Sequence, residues 1–221
     1  MNKPADTLTV AIVDDDPDFR DSLRWLLESV DLSVRCYPDG ESFLDDLQPD
    51  LGCVLLDVRM PGLSGIQVLE RLKDRGEKVA VIIVTGHGDV PMAVHALTDG
   101  RALDFIEKPF NDQHMIDSAQ EAINHTRKQR EESAYLDQLR QRFRALKPKE
   151  QQILRHAAEG LTSRQISDCM DVSPKTAEIY RVRAMKKMGA GSLLHWVRMA
   201  EALKLLRPLN TLNELSGNGN E

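Results

Sequence analysis

Aromatic side chains make up only 5% of this 221-residue chain, against 41% hydrophobic residues in all. Any core must therefore be built from Val, Leu, Ile and Met, in an amount that fills two modest cores or one large one. Cysteine is equally sparse. Cys36, Cys53 and Cys169 show no CxxC spacing and no neighbouring His cluster, so nothing suggests zinc. An odd thiol count fits a reducing cytosol, and free cysteines of this kind pack as small hydrophobes. The opening residues, MNKPADTLTV, lack the apolar stretch of a secretory leader. No run approaches the roughly 18 apolar residues of a membrane span. A soluble, cytoplasmic protein with no membrane partner is the expectation.

The net charge of −6 hides an asymmetry. Residues 1–122 carry 11 Lys and Arg against 24 Asp and Glu, whereas residues 144–207 carry 13 against 6. An acidic half joined to a basic half predicts two domains with different partners, and the basic one is the candidate for a polyanion.

The acidic half alternates short apolar runs with amphipathic stretches. LTVAIV (8–13), LSVRCY (32–37), CVLLDV (53–58), VAVIIV (79–84) and ALDFI (102–106) read as strands. Three are apolar nearly throughout, as parallel strands covered on both faces must be. Helix starts lie between them: Asp16-Pro17 supplies a cap with Pro at the first helical position, and Ser64 with Gln67 a capping box. Five β-α repeats predict an α/β fold, a doubly wound five-stranded parallel sheet with its site at the strand C-terminal ends. Residues 123–143 lack Gly and Pro and read as a helical linker. Its thin stripe of Tyr135, Leu136, Leu139 and Phe143 fits either a dimer seam or a local brace. After Pro148 come four helical segments, 148–158, 163–169, 174–187 and 193–206, with caps at Thr162 and Ser173 and punctuating Gly160, Gly189 and Gly191. This is an all-α four-helix module over 144–207, followed by a disordered tail at 208–221.

The chemistry-bearing residues fall at strand ends. Asp14, Asp15 and Asp16 follow the first strand, Asp57 the third, Thr85 the fourth and Lys108 the fifth. An Asp triplet alone reads as a helix cap. Together with Asp57, Thr85 and Lys108 on one sheet edge, it predicts a site for a hard divalent cation, Mg²⁺ by default. The set suits a carboxylate that attacks phosphorus while metal and Lys neutralise the oxygens and a hydroxyl senses the product.

VDDDP, LLDVRMPGLSG, IIVTGHGD and DFIEKPF, in this order, resemble the receiver domain of two-component response regulators, the FixJ subgroup above all. The resemblance covers residues 8–122 within a domain drawn at 1–122, and implies a flavodoxin-like fold. It makes Asp57 the phosphoacceptor and Asp14 and Asp15 the acid pocket. Mg²⁺ would be held by Asp14, Asp15, Asp57 and the backbone carbonyl of Arg59. Lys108 would pair with the acyl phosphate beside a cis peptide at Pro109, and Thr85 and Phe105 would be the switch residues. Asp16 reads as a cap, Met60, Pro61 and Gly62 as a structural turn, and His87 as a residue without a role. One departure is the stretch Asp99 to Phe105, which is one residue longer than the family pattern and carries Arg101. This touches the face through which such regulators dimerise.

Residues 144–207 resemble the four-helix helix-turn-helix of the LuxR/NarL type, through Glu150, EGLTSRQIS and VSPKTAEIYRVRAMKKM. Lys147-Pro148 stands where that family has a Ser or Thr cap. On the helix at 174–187, Ala177, Tyr180, Ala184 and Met188 recur at core spacing. Lys175, Glu178, Ile179 and Val182 form the opposite stripe, with Arg181 beside it, suited to a major groove. Glu178 can accept from cytosine N4, Ile179 and Val182 can touch thymine methyls, and Arg181 can reach a guanine. Arg164, Thr176, Arg183, Lys186 and Lys187 are placed for phosphates. The resemblance further implies a cognate sensor histidine kinase, promoter DNA, RNA polymerase, and a homodimer formed on phosphorylation. A phosphatase of the haloacid dehalogenase type would need a Thr two residues past Asp16, where the chain has Asp18, and a cap domain for which there is no room. A receiver-like regulator that ignores phosphate is a further alternative, although every acceptor group is present. The chain is thus expected to regulate transcription rather than to be an enzyme.

Overall fold

The computed structural model describes residues 8–86 and 102–206. Its N-terminal unit is built on five parallel strands: β1 (Thr9–Val13), β2 (Ser33–Tyr37), β3 (Leu51–Leu56), β4 (Ala80–Thr85) and β5 (Asp104–Glu107). They lie in the order β2-β1-β3-β4-β5, a topology that switches direction beside β1. Strand side chains alternate between faces, so each apolar run feeds two cores. Ala11, Val13, Val54, Leu56, Val81 and Ile83 pack against α2 (Gly40–Asp45) and α3 (Gly65–Asp74). Val10, Ile12, Cys53, Leu55, Ile82 and Val84 pack against α1 (Pro17–Glu28) and the first turns of α4 (Asp112–Arg144).

Two strand boundaries differ from the sequence reading for identifiable reasons. β3 begins at Leu51 rather than Cys53, because Leu51 pairs with Thr9 and the ladder then skips a residue before Val10 meets Cys53. Gly52 is the extra residue of that bulge, and a Cβ there would lie 2.5 Å from the Leu8 side chain. β5 starts at Asp104, with Leu103 N donating to Val81 O at 2.8 Å ahead of it. The segment holding His87, Asp99, Gly100 and Arg101 lies outside the described residues, as does the tail at 208–221.

Helix starts follow local chemistry. Asp16 caps α1 by accepting from the Asp18 and Phe19 amides, and Ser64 and Gln67 close a reciprocal capping box on α3. α4 is continuous across the stretch read as a linker. The chain divides into two compact units, through Glu131 and from Glu132. The first unit runs past residue 122 because α4 stays bonded to the sheet. Thr126 Oγ1 accepts from Ala80 N at 2.8 Å, and Arg130 donates to the carbonyls of Pro49 and Leu51 at 2.7 and 2.6 Å.

In the second unit, α5 (Pro148–Ala158), α6 (Ser163–Met170), α7 (Pro174–Met188) and α8 (Leu193–Ala202) enclose Trp196, whose Nε1 donates to Leu154 O at 2.8 Å. Leu139 and Phe143 of α4 are buried in the same core, which makes that half of the linker stripe a brace. α7 ends at Gly189, φ +76, with Ala190 N returning to Met185 O, a glycine-terminated closure of the last carbonyls. α8 stops at Ala202, short of the expected residue 206, because the chain turns through a positive φ of 55° at Lys204. Among the described residues no helix is long and apolar enough to cross a membrane.

Candidate functional site

The sheet topology gathers the strand-end residues as expected. Asp57 N donates to Val13 O at 2.9 Å and Lys108 N to Thr85 O at 2.8 Å, so the ladders continue just past the strands and fix Asp57 beside the end of β1 and Lys108 beside the end of β4. The peptide between Lys108 and Pro109 is cis. Lys108 Nζ lies 2.6 Å from Asp14 Oδ2 and 3.1 Å from Asp57 Oδ1. The second oxygen of Asp57 accepts from Arg59 N at 2.7 Å. The ammonium also sits 3.8 Å above the Phe19 ring, which meets Phe110 edge-on at 6.0 Å. Such aromatic contact favours a cation and shields it on one side.

Both carboxylates are buried, Asp14 at 2% exposure and Asp57 at 7%. Burial pushes the Asp57 carboxyl above its ordinary range, against the pull of Lys108. Two buried acids facing one ammonium leave an excess negative charge aimed at the strand ends. Their hard oxygens suit Mg²⁺. Asp15, grouped with them from the sequence, is exposed. Among the described residues no three acidic, His or Cys side chains converge closely enough to hold a metal ion. Lys108 lies between Asp14 and Asp57 and supplies positive charge there.

Thr85 is buried at the end of β4, and Phe105 is half-buried against the core shared with α2 and α3. Gly65 is a site residue that sequence reasoning missed. A Cβ at this position would lie 2.1 Å from the Asp57 carbonyl oxygen, so only Gly lets the start of α3 press on the acid's backbone. Its position directly after the Ser64 cap was the available signal.

The second cluster is on α7. Ala177, Ala184 and Met188 are fully buried, while Lys175, Ile179, Val182, Arg183 and Lys186 are exposed, as is Arg164 on α6. Ile179 and Val182 are exposed apolar side chains amid cations, at 42% and 54%. Thr176 is half-buried, its hydroxyl 2.8 Å from that of the capping Ser173. Two residues differ from their expected settings. Lys187, read as a phosphate contact, donates instead to buried Glu150 at 2.6 and 2.9 Å, joining α7 to α5 and holding that carboxyl below its usual range. Glu178 is likewise engaged. Its Oε1 accepts from Arg181 Nη2 at 2.7 Å, and its Oε2 from Arg181 Nε at 3.1 Å and from Ser163 Oγ. Arg181 first, then Ser163, lowers its pKa.

Known proteins resemble both clusters. Residues 10–120 match the family model of the response regulator receiver domain, and residues 144–200 that of bacterial regulatory proteins of the luxR family. The transcriptional regulatory protein FixJ of Azorhizobium caulinodans is 41% identical over 196 residues, which span 88% of this chain and 92% of that protein. FixJ of Bradyrhizobium diazoefficiens is 42% identical over 193 residues, 86% of this chain and 93% of the relative. Among solved structures, the response regulator StyR superposes with a TM-score of 0.76 at 34% identity, covering 88% of this chain and 98% of StyR.

Proposed function

The chain belongs to the response regulators that combine a receiver domain with a LuxR-type DNA-binding domain, and we propose that Asp57 is the phosphoacceptor through which it is switched. It is a transcriptional regulator of the two-component kind. The observation that carries the assignment is the Asp57 carboxylate, buried and 3.1 Å from Lys108 at the strand ends.

In this reading an Asp57 oxygen attacks the phosphorus of a phosphohistidine on the sensor kinase. The new O–P bond forms as the P–N bond breaks, and the imidazole leaves. Lys108 faces the incoming charge, and Asp14 keeps the ammonium in place. Asp14, Asp15, Asp57 and the Arg59 carbonyl would hold Mg²⁺, which would supply positive charge for the phosphoryl oxygens. Thr85 and Phe105 respond to the product, with the Thr85 hydroxyl turning toward the phosphoryl group. The acyl phosphate is a signal, so the chain acts as a regulator and not as an enzyme.

The receiver (1–122) connects through the helix at 123–143 to the DNA-binding domain (144–207). Lys175, Ile179, Arg181 and Val182 meet base edges, and Arg164, Thr176, Arg183 and Lys186 meet phosphates. One such module makes few contacts, so a phosphorylation-driven homodimer on two half-sites is proposed, acting with RNA polymerase at promoters in the cytoplasm. The test is electrophoresis on a phosphate-binding gel after incubation with acetyl phosphate and Mg²⁺. A retarded band that Asp57→Asn abolishes is expected; retardation that survives this substitution overturns the assignment.

A further inference from the structure

The ion pair on α7 has a geometry that assigns roles. Arg181 offers five N–H donors in a planar fork. Glu178 takes the edge formed by Nε and Nη2, at 3.1 and 2.7 Å. Three donors remain, two on Nη1 and one on Nη2, and they form the end-on fork that matches the O6 and N7 acceptors of a guanine. The carboxylate in turn has no freedom to wander. Ser163, the first residue of α6, donates to its Oε2 from the neighbouring helix of the helix-turn-helix. Glu178 therefore arrives at DNA with both oxygens occupied, and Arg181 arrives half-buried with one edge fixed and one edge free. Ile179 and Val182 are exposed apolar side chains on the same helix.

We propose that Glu178 is a positioning residue that aims Arg181 at a guanine, with Ser163 anchoring the pair, and that it does not itself read a base. This rests on the DNA-binding role of α7 given above. The pair also settles how Arg181 spends its charge. Neutralised by Glu178, it gains little from the sequence-independent pull of phosphates, and its contribution falls on discrimination. Its loss and that of Glu178 should thus be felt at the same base pair.

The experiment is selection of duplexes from a random library by the full chain phosphorylated with acetyl phosphate, followed by titration of variants against every single-base change in the selected site. Arg181→Ala should lose preference for guanine at one position per half-site by about tenfold or more. Glu178→Ala should lose preference at that same position, with Glu178→Gln intermediate and Ser163→Ala milder still. Replacing that guanine by 7-deazaguanine should weaken wild type and leave Arg181→Ala unaffected. Affinity of Glu178→Ala for scrambled DNA should rise, with a salt slope steeper by about one, as the freed guanidinium finds a phosphate. A Glu178→Ala defect at a different base pair from Arg181→Ala means that Glu178 reads its own base and overturns the proposal. So does a Glu178→Ala defect shared equally by all sequences, which marks a merely structural pair. If the wild-type chain enriches no sequence, the DNA-binding reading itself falls and takes the proposal with it.

Discussion

Lys108 stands 3.1 Å from Asp57, an acid whose burial raises its pKa even in the presence of that ammonium. The folded state therefore holds the Asp57 proton more readily than the unfolded chain does. The stability that the protonated acid contributes is full below the ordinary carboxylate range and is lost as pH rises through the raised pKa. Asp57→Asn should accordingly raise the melting temperature at pH 7. The gain should vanish toward pH 3. Lys108→Ala should do the reverse at pH 7, leaving two buried acids face to face, and should respond weakly to phosphodonor in DNA binding. Calorimetric melts of the three proteins at both pH values check this, and a less stable Asp57→Asn at pH 7 contradicts it.

Gly65 makes the acceptor's backbone position a packing property. Alanine there would place a methyl 2.1 Å from the Asp57 carbonyl oxygen, and backbone must move to relieve it. Gly65→Ala is expected to cost about 1–3 kcal/mol and to slow labelling by acetyl phosphate. Gly76→Ala is the control, since that residue has a φ of +71° but nothing within 4 Å of an added Cβ. It should cost about 1–2 kcal/mol in backbone strain and leave the labelling rate alone. Equal labelling by both variants would remove Gly65 from the site.

Thr126 ties α4 to the start of the strand that ends in Thr85. Its hydroxyl accepts from Ala80 N at 2.8 Å in a fully buried setting. Valine of nearly the same shape would strand the amide, at about 1–3 kcal/mol. Thr126→Val should lower the denaturation midpoint and speed hydrogen exchange at the Ala80 amide, whereas Thr126→Ser should do neither. Unchanged exchange in the Val variant would show that the amide finds another partner.

Much of this architecture was legible because local rules agree with the fold. Short apolar runs, three of them apolar nearly throughout, marked the five strands, and Asp16, Ser64, Thr162 and Ser173 announced their helices. The strand-end carboxylates could be grouped because parallel topology places them on one edge. What sequence spacing cannot reach is which cation takes which acid. Lys187 meets Glu150 across 37 positions and only because α5 packs on α7. Glu178 faces outward on a helical wheel, yet Arg181 three residues on and Ser163 on the preceding helix both claim it. Leu51 and Gly52 fell outside the strand read from Cys53, because a bulge residue carries no strand signal of its own.

Adjacent lysines at the end of α7 should separate affinity from stability. Lys186 is exposed with its charge open to a phosphate, while Lys187 holds Glu150, whose side chain is 4% exposed. Lys186→Ala should weaken operator and random DNA by similar factors and flatten the plot of log affinity against log salt by about 0.9 per bound protomer. Lys187→Ala should leave that slope intact and lower the stability of the C-terminal unit instead. Because the Lys187 side chain is itself 49% exposed, solvent screening holds the loss to about 1 kcal/mol. Glu150 is an acid with a lowered pKa, so the pair's contribution is complete above the ordinary carboxylate range and disappears as pH falls through the lowered value. The deficit of Lys187→Ala should therefore be full at pH 7 and fade toward pH 3. Fluorescence of buried Trp196 reports this unit once exposed Trp25 is replaced by Phe. A salt slope that falls for Lys187→Ala as much as for Lys186→Ala would return Lys187 to the phosphate contacts and reduce its bond to Glu150 to a resting pose.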